Sequence, residues 1–414
     1  MKLTTLASLA AVLTAGSLPA QELDLKAELA KQSARIAELE KKTANAKVDA
    51  GPIKFPAELT PYILIDTSFV SKSNATADGR TKFDMATPWL SGSRWGLKGD
   101  IKTNIEGLSV IYKLESEYTT ADGAMDTPGV IFNRDAWVGF KSESLGQITI
   151  GRQNTLARDF AVIYGDPFKE ARINYDEGGW TNTNNFKQLI YFAASVDGTR
   201  VNKGITWKKV ADNGWAFGAA YNLTSTESNT STKNSTAEVA LGYNAERWHA
   251  STFHSEANNN GFSQKSTGIG GNIIATRWLR LNAGYFVYSS EQGFGNPDRK
   301  DSAYTVSGTI QTDPKWSYHL GYQKMKGTDA EVNTSGNWTN PFSTATLTAN
   351  KATGSKDTLY GLVMRHLSKR MEAYAGFDLM KLHDGYKLSG TLNTLPTGHD
   401  SQTELVLGIR IRAL

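Results

Sequence analysis

The residues of this chain that could do chemistry are charges in alternating rows, not the residue set of a catalytic centre. Six histidines (His249, His254, His319, His366, His383 and His399) show no metal-ligand spacing, and no Gly-rich phosphate loop or nucleophile elbow occurs. His254, Ser255 and Glu256 come nearest to an acid–base set, and chance adjacency is the simpler reading. Cysteine is absent, which removes thiol chemistry and disulfides and suits a secreted protein that does not rely on them. No cofactor is implied. What remains is charge at every second position: Arg94, Lys98 and Lys113 fall on one side of their segments, as do Arg280, Arg410 and Arg412. Asp100, Glu115, Glu117, Glu372, Asp378 and Glu404 share that side, so the balance is close to even. Rows of both signs across a narrow aqueous space set a strong transverse field, because low-dielectric walls focus it. Such a field orders water, lets small ions and polar solutes pass and excludes apolar ones. The plainer alternative is that inward charges only keep a lumen wet.

Strands are the elements that can hold such rows. Between Ser91 and Gln153 the chain reads as two strand pairs, each run about ten residues long, the length a tilted strand needs to cross a bilayer. Val110, Tyr112 and Leu114 alternate there with Lys113, Glu115 and Glu117. The same reading extends from Leu59 to Leu414, with strands expected at 59–69, 92–101, 107–118, 131–141, 146–155, 201–210, 214–223, 236–245, 247–256, 265–276, 278–289, 301–311, 315–326, 356–367, 371–382 and 401–412. Connections alternate strictly between long polar loops (70–91, 119–130, 156–200, 224–235, 257–264, 290–300, 327–355, 383–400) and short turns such as Glu246, Arg277 and Ser368-Lys369-Arg370. That alternation is the pattern of a transmembrane antiparallel β-barrel with an even number of strands, here sixteen, in an all-β chain. Trp215, Trp248, Trp278 and Trp316 each follow a short turn, which predicts an aromatic girdle at one membrane interface. Small inward residues such as Ala216, Gly218 and Ala220 predict a wet lumen. Phe186 to Val196 also looks like a strand, but counting it would invert the long–short order, so it is left in the third long loop.

Composition agrees with this class. The 414 residues carry a formal charge of +4 and show no break after residue 60 that would divide soluble domains. No basic stripe is present, so nucleic acid is not an expected partner. Beyond the N-terminus no run of eighteen apolar residues occurs, which argues against a helical membrane protein and says nothing against a barrel. Residues 1–20 have the layout of a secretory signal, with Lys2, an apolar Leu6 to Leu13 and a small-residue end at Ser17 to Ala20. In 21–50 the period changes to about three and a half, with Leu25, Leu29, Ile36 and Leu39 on one heptad seam. This short coiled-coil helix is too brief to associate firmly alone, and the Pro-containing 51–58 follows as a linker to a barrel at 59–414.

Ser93-Arg94-Trp95-Gly96-Leu97-Lys98-Gly99, Phe132 to Phe140 (Phe-Asn-Arg-Asp-Ala-Trp-Val-Gly-Phe) and Ile148-Thr149-Ile150-Gly151-Arg152-Gln153 resemble, in order and spacing, successive strands of the Gram-negative general porins. The resemblance implies a trimeric diffusion channel in the outer membrane of a Gram-negative bacterium, with lipid bilayer, ions and small hydrophilic solutes as its partners. It also implies that the third loop, 156–200, folds inward as a constriction. Asp159, Asp166, Glu170, Asp176 and Glu177 with Arg158, Lys169 and Arg172 in that loop suit a charged constriction, and a solvated external loop stays open as the alternative. Arg134 and Arg152 share parity with apolar residues, so their expected place in the pore rests on the resemblance and needs a bulge. The C-terminus departs from the family, with Ala413-Leu414 where a terminal Phe is usual. The resulting expectation is a general diffusion pore with weak anion preference and a periplasmic helix, which also offers a contact to the cell wall. A solute-selective, phosphate-type pore and a non-conducting tether or adhesin are the alternatives.

Overall fold

The computed structural model describes residues 28, 30–38, 56, 58–86, 89–165, 172–175, 199–223, 234–259, 262–291, 298–332, 350–384 and 399–413. The chain divides into two compact units, Met1–Lys54 and Phe55–Leu414. In the first, residues 30–38 form a helix (α1) with exposed side chains, Ile36 among them. Leu25, Leu29 and Leu39 of the expected seam lie outside the described residues, as does Phe186 to Val196.

The second unit is a single antiparallel sheet closed on itself. Its elements in chain order are β1 (Thr60–Lys72), β2 (Lys82–Ala86), β3 (Arg94–Lys102), β4 (Leu108–Glu117), β5 (Asp135–Ser142), β6 (Gly146–Asn154), α2 (Leu156–Gly165), β7 (Arg200–Val210), β8 (Trp215–Leu223), β9 (Asn234–Asn244), β10 (Trp248–Asn259), β11 (Phe262–Thr276), β12 (Leu279–Ser290), β13 (Arg299–Asp313), β14 (Trp316–Val332), β15 (Asn350–Ser368), β16 (Met371–Asp384) and β17 (Ser401–Ala413). From β3 onward each strand pairs with the next in sequence, and β17 closes on β1 from Ile63↔Ala413 to Lys72↔Glu404. Closure is what hydrocarbon demands: with no water to satisfy an edge, every strand N–H and C=O must find a partner in the sheet.

Seventeen segments make sixteen staves. β3 pairs with the first part of β1 (Thr60↔Lys98 to Leu64↔Arg94) and β2 with its last part (Ser68↔Ala86 to Lys72↔Lys82), so the two share one stave. Between them the chain leaves the wall and turns inward. Trp89 and Leu90 are buried against Val70, Leu362, Met364, Tyr374 and Val406, inward residues of β1, β15, β16 and β17. The 70–91 segment is therefore not the plain external loop that composition predicts: it contributes a strand and an internal packing element.

Face alternation follows the sequence. On β12, Asn282, Phe286 and Tyr288 are buried inside while Leu281, Tyr285 and Val287 are exposed outside. On β17, Val406 and Arg410 point in, and Leu405 and Leu407, 55% and 63% exposed, point out. Trp215, Trp248 and Trp278 are exposed beside the short turns, with Trp215 and Trp248 both packed on Tyr243 at ring separations of 5.0 and 5.4 Å. Arg365 lies 4.8 Å over the ring of the fourth, Trp316. This is the expected girdle, since an indole is favoured where apolar and wet regions meet.

Three long connections differ from expectation. The 257–264 segment is almost wholly hairpin, pairing down to Asn259↔Phe262. β14 and β15 run into 327–355, to Val332 and from Asn350. β5 begins at Asp135, not at 131, because Phe132 to Arg134 belong to an irregular approach.

Candidate pore lining and constriction

The loop helix α2 begins immediately after β6 and lies inside the barrel. Nine of its ten residues are buried, Arg158 included, although only its apolar members predict that. Its seat is built from small inward residues. Gly270 and Gly284 are register partners on β11 and β12, and a Cβ on either would overlap the ring of Tyr164. Gly218 lies in the same way under Leu156, and Gly242 under Ile173. Phe253 and Phe286 complete the apolar contact, with Phe286 5.6 Å from Tyr164 ring to ring. A helix needs to come close to a sheet to exclude water, and absent side chains let it do so. The small inward residues of β8 to β12 are thus a docking surface along the helix and not the water-lined wall that their size predicts.

Polar groups fix the register of this contact. Glu238 on β9 accepts from the backbone nitrogens of Leu156 at 3.1 Å and Ala157 at 3.4 Å, donors that have no partner within the helix. Ser251 donates to the Phe160 carbonyl at 2.7 Å and Asn272 to that of Ile163 at 2.8 Å. Asp159 pairs with Lys208 of β7 at 2.8 Å and accepts from Asn154 at 3.1 Å. Asp166 and Glu170 lie outside the described residues.

A second charged group surrounds β3 to β5. Lys113 sits 2.7 Å from Asp135 and 3.4 Å from Glu115, and Arg94 lies 3.8 Å from Glu115. Arg134 bridges Glu115 and Glu117. It needs no bulge to do this: it precedes the first residue of β5, so strand parity does not bind it. Arg152 does coincide with a bulge, between Gly151 and Gln153 in the β6–β7 pairing, and Gly151 takes φ +136° there. Its guanidinium donates to the Asn133 carbonyl at 2.8 Å and to Asn202 at 2.7 Å. Lys98 differs from these. It is exposed on the inward row, 5.9 Å over the Tyr62 ring, with no carboxylate within 4 Å among the described residues.

The third group lies on β16 and β17, beside the short turn that joins β15 to β16. Glu372 accepts from Arg410 Nε at 2.8 Å and from Arg412 Nη1 at 3.1 Å. Arg94, Lys98, Lys113 and Arg134 are therefore brought together near one wall and Arg410 with Arg412 near another stretch, while Asp159 joins the loop helix to β7. Glu238, Lys208, Tyr164 and Trp89 were not singled out in the sequence. Glu238 is an isolated acid in the inward row Thr236, Ala240, Gly242, and adjoining strands carry inward glycines, so a seat for a helix could have been found from that pattern. His254 and Glu256 face outward while Ser255 is buried inside, so strand alternation separates the one adjacency that resembled an acid–base set.

Comparison with known proteins places this barrel. A family model described as Gram-negative porin matches residues 6–385. An outer membrane porin protein of Bordetella pertussis is 27% identical over 263 residues, covering 57% of this chain and 67% of that one. Among solved structures, an anion-selective porin from Comamonas acidovorans has TM-score 0.65 at 18% identity, covering 86% of this chain and 99% of its own. OmpF of Salmonella typhi, solved with daunomycin, has TM-score 0.54 at 15% identity, covering 86% and 97%. With a closed barrel of the same architecture around the matched residues, the chain belongs to the Gram-negative porin family, as an outer-membrane porin whose water-filled barrel passes ions and small hydrophilic solutes by passive diffusion.

Proposed function

We propose that this porin is a general diffusion channel with weak anion preference, narrowed by α2 and working as a homotrimer. The observation that carries the selectivity is the pairing of the acids. Asp159 is held by Lys208, Glu115 by Arg134, and Asp135 by Lys113, whereas Lys98 on the same inward row has no such partner among the described residues. A paired carboxylate presents little net field to a passing ion, and an unpaired ammonium presents its full charge. Narrowing by α2 is supported by its burial against the inner faces of β8 to β12. The anion selectivity named for the Comamonas protein is that protein's own; the reading here rests on Lys98 and the paired acids. Association into trimers agrees with the general-porin motifs and with the heptad seam of 21–50, which follows an expected signal at 1–20. Reversal potential across a potassium chloride gradient tests the selectivity: a modest shift towards the chloride potential is expected, and a cation-selective value rejects it. Deleting 21–50 should lower the temperature at which native trimers dissociate, and an unchanged temperature leaves the helix to a cell-wall contact instead.

A further inference from the structure

We propose that residues 89–93 form a second constriction element of the pore, anchored by Trp89 at the depth of α2 but on another arc of the barrel, and that this segment limits the size of solute that passes. Leu362, Gly376, Val406 and Val70 are successive register partners across β15, β16, β17 and β1. Trp89, 1% exposed, packs on that inward row with Met364 and Tyr374 beside it. A Cβ on Gly376 would meet the Leu362 side chain and, at 3.3 Å, the far edge of the indole. The absent side chain admits the Trp89 ring here as Gly284 admits the Tyr164 ring under α2.

The two glycine seats lie at one depth. Gly376 follows Met371, the first residue of β16, by five residues, and Gly284 follows Leu279, the first of β12, by five. Both strands rise from short turns, and the strands of one barrel share a common tilt and rise, so equal counts are equal heights above the turns. α2 lies against β8 to β12, whereas the Trp89 pocket is made by β15, β16, β17 and β1. The charged group of β3 to β5 stands between these arcs. A solute at this depth therefore passes between two inward elements and beside a charged wall.

The rest of the segment is tied to the wall in turn. β1 pairs with β3 up to Leu64 and with β2 from Ser68, and between them the Ser93 hydroxyl accepts from the Asp66 backbone nitrogen at 2.9 Å and donates to its carbonyl at 2.8 Å. One side chain thus replaces the strand partner that Asp66 lacks on that side. Arg94 donates to the Gly92 carbonyl at 3.0 Å and to the Ser91 hydroxyl at 3.1 Å, and a Cβ on Gly92 would overlap the Glu117 carboxylate. The chain accordingly crosses the inner face of β1, from the Trp89 pocket to the charged network. Trp89 is a positioning residue: it acts by holding 90–93 inside the barrel.

The pairing with α2 rests on the narrowing proposed above, and different variants read the two elements. Swelling of proteoliposomes holding the full-length porin is followed with uncharged sugars of rising mass, on which ion preference has no bearing. Trp89→Ala should raise the rate for a trisaccharide relative to a monosaccharide, and Leu90→Ala, in the same pocket, should raise it too. Trp89→Phe keeps the apolar contact and should stay near the parent. Leu407→Ala, on the outer face beside Val406, should leave the ratio unchanged. Heat-modifiable electrophoretic mobility identifies folded barrels, and Leu90→Ala suffices if Trp89→Ala misfolds. A parental ratio in the folded pocket variants overturns the proposal, and if Glu238→Ala raises the ratio in the same assay the narrowing by α2 stands without it. A rise in Trp89→Ala with none in Glu238→Ala supports the segment and counts against α2. An equal rise in Leu407→Ala overturns the proposal, since the whole wall would then have loosened.

Discussion

Glu238 and Leu156 join the loop helix to the barrel wall: the Glu238 carboxylate accepts the first free N–H of α2 at 3.1 Å, from a strand far from it in sequence. An acceptor placed there satisfies donors the helix cannot satisfy itself and meets the positive end of its dipole. Glu238→Ala leaves two buried N–H groups without that acceptor, at about 1–3 kcal/mol each. The open-channel current in planar bilayers should become larger and noisier as the helix start detaches. Glu238→Gln keeps an acceptor of the same reach and should be nearer the parent. A Glu238→Ala channel with parental current and noise would show that packing alone holds the helix.

The packing itself is testable at Gly284, where the Tyr164 ring rests on backbone. Gly284→Ala forces the ring away, and overpacking of this kind costs about 1–3 kcal/mol. Heat-dissociation temperature should fall. Because the clash needs both partners, Tyr164→Ala combined with Gly284→Ala should lose less than the two separate losses added together. Strict additivity would mean that Gly284 is sensitive for reasons of its own strand.

The barrel was legible because its two signals are independent: period-two alternation sets the faces, and loop length sets the ends. Leu405, Leu407, Ile409 and Ile411 read as a lipid face, and they are one. The inside was less legible, since an inward residue covered by a loop and one facing water obey the same alternation. Gly218 predicted a wet wall, and it, with Gly242, Gly270 and Gly284, instead receives a helix and the segment after it. Trp89 was hidden for the opposite reason, as a large apolar residue in a stretch whose polar composition reads as surface. Arg134 was misjudged by parity because an irregular residue before a strand is free of the strand's period.

Trp89 gives the third prediction. Its ring packs 6.3 Å from Tyr374 and its Nε1 donates to Glu404 at 3.1 Å, while Lys72 pairs with the same carboxylate at 2.6 Å. Trp89→Phe removes the donor and keeps most of the apolar contact, for about 1 kcal/mol. Trp89→Ala empties the site, and large-to-small changes of this size cost about 3–5 kcal/mol. Heat-dissociation temperature should fall in that order. If Trp89→Ala is as stable as the parent, the inward segment is held by its strands and not by its side chain.

Ion preference separates the charges that face the pore from those that only hold its wall. Lys98 and Arg94 stand on one inward row, yet Lys98 is exposed, and Arg94 is 6% exposed with its Nε donating to the Gly92 carbonyl at 3.0 Å. Lys98→Gln should move the reversal potential towards cations, and Arg94→Gln should move it less while lowering heat stability more. Glu115→Gln acts in the other direction, because it withdraws the carboxylate shared by Arg134, Lys113 and Arg94 and leaves their charge to the lumen. All three shifts should shrink between about 0.1 M and about 1 M salt, as the screening length drops from ~10 Å to ~3 Å. A larger selectivity change in Arg94→Gln than in Lys98→Gln would place the field at the buried network and remove Lys98 from its role.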